Sequence, residues 1–220
     1  MDNRKKWEKY YKGYGNKFSI IGFIEFVNKT YYIPMFRRVL SEITNIGSGN
    51  NKIMEPGCGS GLMSSYLGEC NQVTVLDRSR NALSTAQSNF KRQGNNGNYV
   101  LGDLYYLPFR DDSFDIVWNQ GVLEHFRKPS IPVKEMYRVT KKGGYTVIFI
   151  PAFLSPLHLI WIILGLFGLK RFWPFDDQQF YRMRTFRRIL KGAGITNARI
   201  QRLWIRSLNF SQVAYVRKNE

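Results

Sequence analysis

Acidic residues, cysteine and histidine are what this sequence has little of. Its 220 residues hold 16 Asp and Glu against 33 Lys and Arg, a formal charge of +17. A surface so poor in negative charge sets up a field that draws in polyanions and anionic bilayers, and it carries no information about fold. Two cysteines, Cys58 and Cys70, without C-x-x-C spacing exclude a disulfide frame and point to reduced thiols in a cytosolic compartment. With only His125 and His158 to join them as nitrogen ligands, no metal site is expected. Residues 1–12 contain no apolar stretch of the secretory type, so a cytoplasmic protein is expected, with the inner membrane surface the one place where it could touch lipid. Internal repeats and low-complexity segments are also missing.

What is present is ordinary globular material. Hydrophobic residues make up 44% and charged residues 22%, enough for a well-buried core in one domain. Residues 7–30 are rich in aromatics (Trp7, Tyr10, Tyr11, Tyr14, Phe18, Phe23, Phe26) and read as a cap rather than as sheet. Phe36, Val39, Leu40 and Ile43 fall at helical spacing after Pro34, and the polar residues 45–51 end that helix.

From residue 52 onward short apolar runs alternate with helical patterns. Strands are expected at 52–55, 72–76, 99–101, 114–119 and 145–150, and at roughly 197–204 and 212–217. Helices are expected where Leu62, Met63, Tyr66 and Leu67, then Ala82, Leu83, Ala86 and Phe90, then residues 131–139, and finally 185–191 line up on one face. Lys141, Lys142, Gly143 and Gly144 read as a turn before the fifth strand. Strands and helices alternating at this spacing imply βαβ units and a mostly parallel sheet, here an α/β three-layer sandwich of seven strands with an antiparallel last strand.

The segment Glu55, Pro56, Gly57, Cys58, Gly59, Ser60, Gly61 lies between the first strand and the next helix. There, backbone N–H groups and a helix N-terminus face a ligand, and glycines let it approach the main chain. Asp77 follows Gly57 by 20 positions, at the end of the second strand, where a carboxylate can accept ribose hydroxyls. Asp77 could instead cap the next helix, but Ser79 can serve that purpose. The order G-C-G-S-G departs from G-x-G-x-x-G, with Leu62 where the third glycine would stand. Glu55 would sit badly beside a pyrophosphate and well beside a cation, so a nucleoside ligand with a positive end is expected.

These motifs, together with Gly102-Asp103-Leu104, Phe114-Asp115-Ile116-Val117 and Lys142-Gly143-Gly144, resemble the ordered motifs of the class I, Rossmann-like S-adenosylmethionine-dependent methyltransferases, and within them the small-molecule branch that includes quinone-biosynthesis enzymes. The resemblance covers residues 52–150. It implies S-adenosylmethionine as cofactor, its methionine part held by Glu55, Gly57, Cys58, Gly59 and Gly61. It implies that Asp77, with Arg78 beside it, holds the ribose, that Asp103 and Leu104 hold the adenine, and that Asn119 and Gln120 line the sulfonium end. Methyl transfer from a sulfonium is helped chiefly by alignment and exclusion of water. Where the acceptor must lose a proton, Glu124 and His125 lie in the right region to take it.

The acceptor is read from what the motifs do not cover. Residues 145–169 carry no formal charge over 25 positions, yet the first six belong to a strand and Pro151 and Pro156 interrupt the rest, so a membrane span is not expected. Residues 157–169 remain open between a substrate-covering helix and an in-plane helix on an anionic membrane, with Lys170, Arg171, Trp173 and the later arginines at the headgroups. Either reading favours a small apolar acceptor. Arg182, Arg184, Arg187, Arg188 and Lys191 could be a solvated face, a lipid patch or an RNA patch. An RNA or protein methyltransferase is therefore the second reading, although residues 119–122, Asn-Gln-Gly-Val, lack the diproline motif of nucleic-acid amine methylation. A non-catalytic cofactor-binding subunit is the third. The expected organisation is one domain over 1–220: a cap (1–46), a cofactor-binding core (52–150), an apolar and basic insert (151–184) and a C-terminal helix with strands (185–220).

Overall fold

The computed structural model describes residues 4–12, 29–30, 33–44, 49–153, 155–169, 179–205 and 208–219. In chain order its elements are α1 (Arg4–Lys12), α2 (Ile33–Thr44), β1 (Lys52–Pro56), α3 (Leu62–Ser65), β2 (Gln72–Asp77), α4 (Arg80–Arg92), β3 (Asn98–Leu101) and β4 (Phe114–Gln120). A 3-10 turn at Leu123–His125 follows, then α5 (Ser130–Val139), β5 (Thr140–Pro151), α6 (Pro156–Leu166), α7 (Met183–Gly192), β6 (Arg199–Ile205) and β7 (Leu208–Arg217).

Alternate residues along the strands decide the architecture. Ile53, Val73, Val75, Ile116, Trp118, Val147 and Phe149 bury on one face of the sheet, against Phe36 and Leu40 of α2 and Ala86 and Phe90 of α4. Their neighbours Met54, Leu76, Val117, Ile148 and Ile150 bury on the other, against Val133 and Met136 of α5 and Phe186, Ile189 and Leu190 of α7. Because successive side chains point to opposite faces, a strand apolar at every position must be covered twice, which is the condition of a parallel sheet between two helical layers.

The seven strands run in the order β3-β2-β1-β4-β5-β7-β6. Those from β3 to β5 are parallel, and β7 pairs antiparallel with both β5 and β6. The order reverses between β1 and β4, and the crevice beyond the carboxyl ends of those strands is where such sheets receive ligands. Glu55, Asp77 and Asn119 all stand at that edge.

Two expectations change. The Lys141 to Gly144 turn is part of β5: Phe114 pairs with Thr140 but Ile116 with Tyr145, so residues 141–144 bulge out opposite Asp115 alone, with Gly143 at φ 76°. Gly143 donates to the Lys218 carbonyl at 2.8 Å, and the Lys218 N–H donates to that of Gly144 at 2.9 Å, fastening the bulge to the end of β7. The helix after the glycine loop is a single turn, with residues 66–70 in turns, so Tyr66 and Leu67 lie beyond it. In the aromatic cap, Trp7, Tyr10 and Tyr11 lie on α1, whereas Tyr14, Phe18, Phe23 and Phe26 lie outside the described residues, as do Lys170, Arg171 and Trp173. Among the described residues no helix is long and apolar enough to cross a membrane.

Candidate active site

Three glycines turn the chain sharply at the end of β1. Gly57, Gly59 and Gly61 have φ of 75°, 53° and 56°, in the left-handed region that side chains disfavour. A Cβ at Gly57 would meet Val122 Cγ1 at 2.7 Å, one at Gly61 would meet Ala86 Cβ at 2.8 Å, and one at Gly59 would collide with the Tyr11 hydroxyl. The loop is thus pressed between the segment after β4, helix α4 and helix α1.

Its N–H groups differ from what the sequence implies. Gly57 and Cys58 both donate to the Leu76 carbonyl, at 2.7 and 3.0 Å, and Gly61 donates to that of Cys58 at 2.8 Å. Gly59 donates to Asp77 Oδ2 at 2.9 Å. These four donors tie the loop to β2 and to itself, and do not point out as a cradle for an anion. Cys58 is buried, with its thiol pushed well up by burial and by the neighbouring Asp77 and Glu55 charges.

Two buried carboxylates stand at this edge. Asp77 accepts from Gly59 and, through Oδ1, from the Ser79 N–H at 2.9 Å. Burial pushes its carboxyl up, opposed by the N–H groups of Ser79, Gly59 and Arg78 and by the Arg78 charge. Ser79 itself caps α4, accepting the Ala82 N–H at 3.1 Å, so capping does not account for Asp77. Glu55 is pushed up to about 8 by burial, opposed by the Ser64 hydroxyl facing it and helped by the Asp77 charge, and its Oε2 makes no hydrogen bond of normal geometry among the described residues. A buried carboxylate in that position gains if a cation is brought to it.

The adjacent strand ends bring up the remaining candidates. Asp103 accepts the Tyr105 N–H at 3.0 Å and leads into buried Leu104. Asn119 is fully buried; its amide donates to Met136 Sδ at 3.3 Å, and its Oδ1 has no partner among the described residues. Gln120, half-buried, ends β4. In the 3-10 turn beyond, Glu124 points inward and is buried, whereas His125 is half-buried with its ring 5.0 Å from that of Trp7 in an edge-to-face contact. The structure therefore gathers every candidate from Glu55 to His125 along one edge of the sheet. Among the described residues no cluster of three or more His, Cys, Asp or Glu could hold a metal ion.

The contacts of several residues here are not signalled by the sequence. Helix α1 lies across the site, with Trp7 on His125 and Tyr11 on Gly59, and Glu8 binds the start of α4. Tyr181, far along the chain, donates its hydroxyl to the Leu123 carbonyl at 3.3 Å; burial, with the Glu124 charge adding, pushes that hydroxyl up to about 12. The one hint of the first group is a lone acid, Glu8, inside a basic and aromatic segment.

Residues 54–148 match the family described as a methyltransferase domain. The malonyl-[acyl-carrier protein] O-methyltransferase of Erwinia billingiae is 35% identical over 130 residues, covering 57% of this chain and 50% of that protein. The chain thus spans about half the length of that curated relative, and 38% of an uncharacterised methyltransferase of Schizosaccharomyces pombe that it matches at 36% identity. The demethylmenaquinone methyltransferase of Bacillus velezensis is 27% identical over 213 residues, 88% of each chain. In fold, the magnesium protoporphyrin IX methyltransferase of Synechocystis PCC 6803, solved with bound SAH, superposes with a TM-score of 0.69 at 19% identity, covering 98% of this chain and 94% of that one. With the loop, the acid after β2 and the strand order all in place, residues 54–148 match the methyltransferase-domain family and carry the Rossmann-like fold of the methyltransferases they superpose on.

Proposed function

We propose that the chain transfers the methyl group of S-adenosylmethionine to a small, apolar or lipid-like acceptor. The observation that carries the reading is Glu55, a buried carboxylate with an unpartnered oxygen beside a glycine loop whose N–H groups are already engaged. Such a site suits the ammonium of a methionine moiety and disfavours a phosphate. Asn119 Oδ1, a second buried acceptor without a partner among the described residues, fits the same cationic end.

In this reading Glu55 and the loop from Gly57 through Cys58 and Gly59 to Gly61 hold the methionine part. Asp77, with Arg78 beside it, takes the ribose hydroxyls, Asp103 and the Leu104 backbone take the adenine, and Asn119 and Gln120 border the reacting end. The bound cofactor supplies an electrophilic methyl carbon on sulfur. The protein's own contribution is alignment and exclusion of water, for which α1, seated on Gly59 and His125, is the covering element. An acceptor that begins as O–H or acidic C–H would have to give up a proton to the protein as it takes the methyl group. His125, half-buried at the site's rim, or Glu124, buried beside it, receives that proton.

Support for a small acceptor comes from the relatives, whose names include demethylmenaquinone and malonyl-[acyl-carrier protein] methyltransferases, and from apolar α6, whose His158 stacks on Phe180 next to Gln179, the donor to the Glu124 carbonyl. The test is transfer of radiolabelled methyl from S-adenosylmethionine into a cell extract separated into organic-soluble, nucleic-acid and protein fractions. Organic-soluble label that disappears with Asp77→Asn supports the reading. Label in RNA or protein instead assigns the basic surface to substrate binding, and cofactor binding with no label in any fraction points to a non-catalytic subunit.

A further inference from the structure

Helix α6 turns its most apolar side outward. Leu159, Ile160 and Ile163 are 45%, 47% and 51% exposed, and Leu166 and Phe167 are 79% and 73% exposed. These positions follow i, i+1, i+4, i+7 and i+8, a stripe about 120° wide at the pitch of an α-helix. The other side is held firmly. Buried His158 stacks on Phe180 with ring centroids 4.4 Å apart and lies 4.7 Å from Phe153, while Trp161 lies 5.9 Å from Phe180. Ser155 caps the helix by accepting the His158 N–H. The exposed stripe is therefore presented by a fixed helix.

The platform under α6 runs directly into α7. Ala152 forms a bridge with Tyr181, Phe153 donates to the Tyr181 carbonyl at 3.3 Å, and the Arg182 guanidinium sits over the Phe153 ring at 4.5 Å. Beyond it, Arg184, Arg187, Arg188 and Lys191 are exposed along one side of α7, opposite buried Phe186, Ile189 and Leu190. Residues 155–169 carry no formal charge, and residues 179–205 carry seven Lys and Arg with no Asp or Glu.

We infer that this face docks on an anionic lipid bilayer, with α6 lying in the plane of the interface and the α7 arginines at the headgroups. An apolar stripe joined to a basic helix free of acids is complementary to anionic lipid on both counts. A second copy of the chain is disfavoured as the occupant, because each carries +17 and like fields repel. A soluble substrate is disfavoured because the stripe faces away from the packed side of the helix. With 11 residues α6 lies on the bilayer and does not span it. The inference is independent of the methyl-transfer reading.

The experiment is co-sedimentation of the full chain with vesicles of phosphatidylcholine alone and of an equimolar phosphatidylcholine and phosphatidylglycerol mixture. Binding to the mixed vesicles only is expected. The double variant Ile160→Asp/Ile163→Asp, at exposed positions and checked for an unchanged melting curve, should weaken partition by at least about tenfold. Arg187→Glu/Arg188→Glu should weaken it and flatten its salt dependence. No binding to the mixed vesicles overturns the inference, as does binding that the isoleucine pair leaves unchanged. It is also overturned if the isoleucine pair abolishes self-association in a protein that ignores vesicles, or if the arginine pair abolishes RNA binding in such a protein.

Discussion

The Glu8 carboxylate accepts the backbone N–H of Arg80 at 2.8 Å, across 72 positions of sequence. The same carboxylate takes the Asn81 N–H and the Ser79 hydroxyl, each at 3.1 Å, and the Asn81 amide returns to the Glu8 carbonyl at 3.0 Å. A negative group at the start of α4 satisfies N–H groups that the helix itself leaves unpaired, and it complements the helix dipole.

Glu8→Ala should therefore lower stability by about 0.5–2 kcal/mol, the range for loss of a helix cap. Because these contacts fasten α1 down, trypsin should cut after Lys9 and Lys12 faster than in the parent protein. Urea titration and timed digestion check both effects, and cleavage at an unchanged rate would show that α1 is held by its aromatic contacts instead.

Gly59→Ala places a methyl group against Tyr11 and at φ 53°. The backbone strain costs about 1–2 kcal/mol and the collision adds to it. In a double-mutant cycle, adding Tyr11→Ala should recover the collision and leave the strain, giving a coupling of about 0.5–3 kcal/mol by denaturant titration.

Asp77 serves both the loop and the proposed ribose contact, and Asp77→Asn separates these services imperfectly but measurably. Its amide cannot accept twice through both ends, so S-adenosylmethionine affinity should fall by about 1–3 kcal/mol. Isothermal titration reads the loss, and a folded variant with parental affinity would remove Asp77 from the cofactor site.

Glu55 makes a prediction with a definite sign. Its folded carboxyl sits at about 8, above its ordinary value, so its contribution to stability is complete in acid and is lost as the pH climbs toward 8. Glu55→Gln should flatten that decline in the unliganded protein, seen as a smaller drop in melting temperature between about pH 5 and pH 8.5. A cofactor ammonium reverses the preference, so binding near pH 7 should release about one proton in the parent and none in the variant. Calorimetry in buffers of different ionisation heat measures it.

The helical layers and most strand positions were legible because Ile53 and Met54, or Val147 and Ile148, are both apolar and thus require covering on both faces. Glu55 and Asp77 were legible as a pair because each ends a strand. The bulge at Gly143 and Gly144 was not, since two lysines and two glycines spell a turn, and only the pairing with Lys218 reveals them as strand. Nor were Glu8, Tyr11 and Tyr181, whose places depend on contacts that local sequence patterns do not encode. The direction of the loop N–H groups also escaped, because glycine spacing fixes where a chain can turn but not which acceptors lie within reach.

Those engaged N–H groups bear on competition for the site. Adenosine is common to many cellular compounds, and an adenine and ribose pocket alone would admit nucleotides as readily as a sulfonium. Here the phosphates of such a competitor would find the Gly57, Cys58, Gly59 and Gly61 donors taken. In the proposed cofactor site the loop would act as a filter, turning away the anionic majority of adenosine compounds by the same hydrogen bonds that fix its shape.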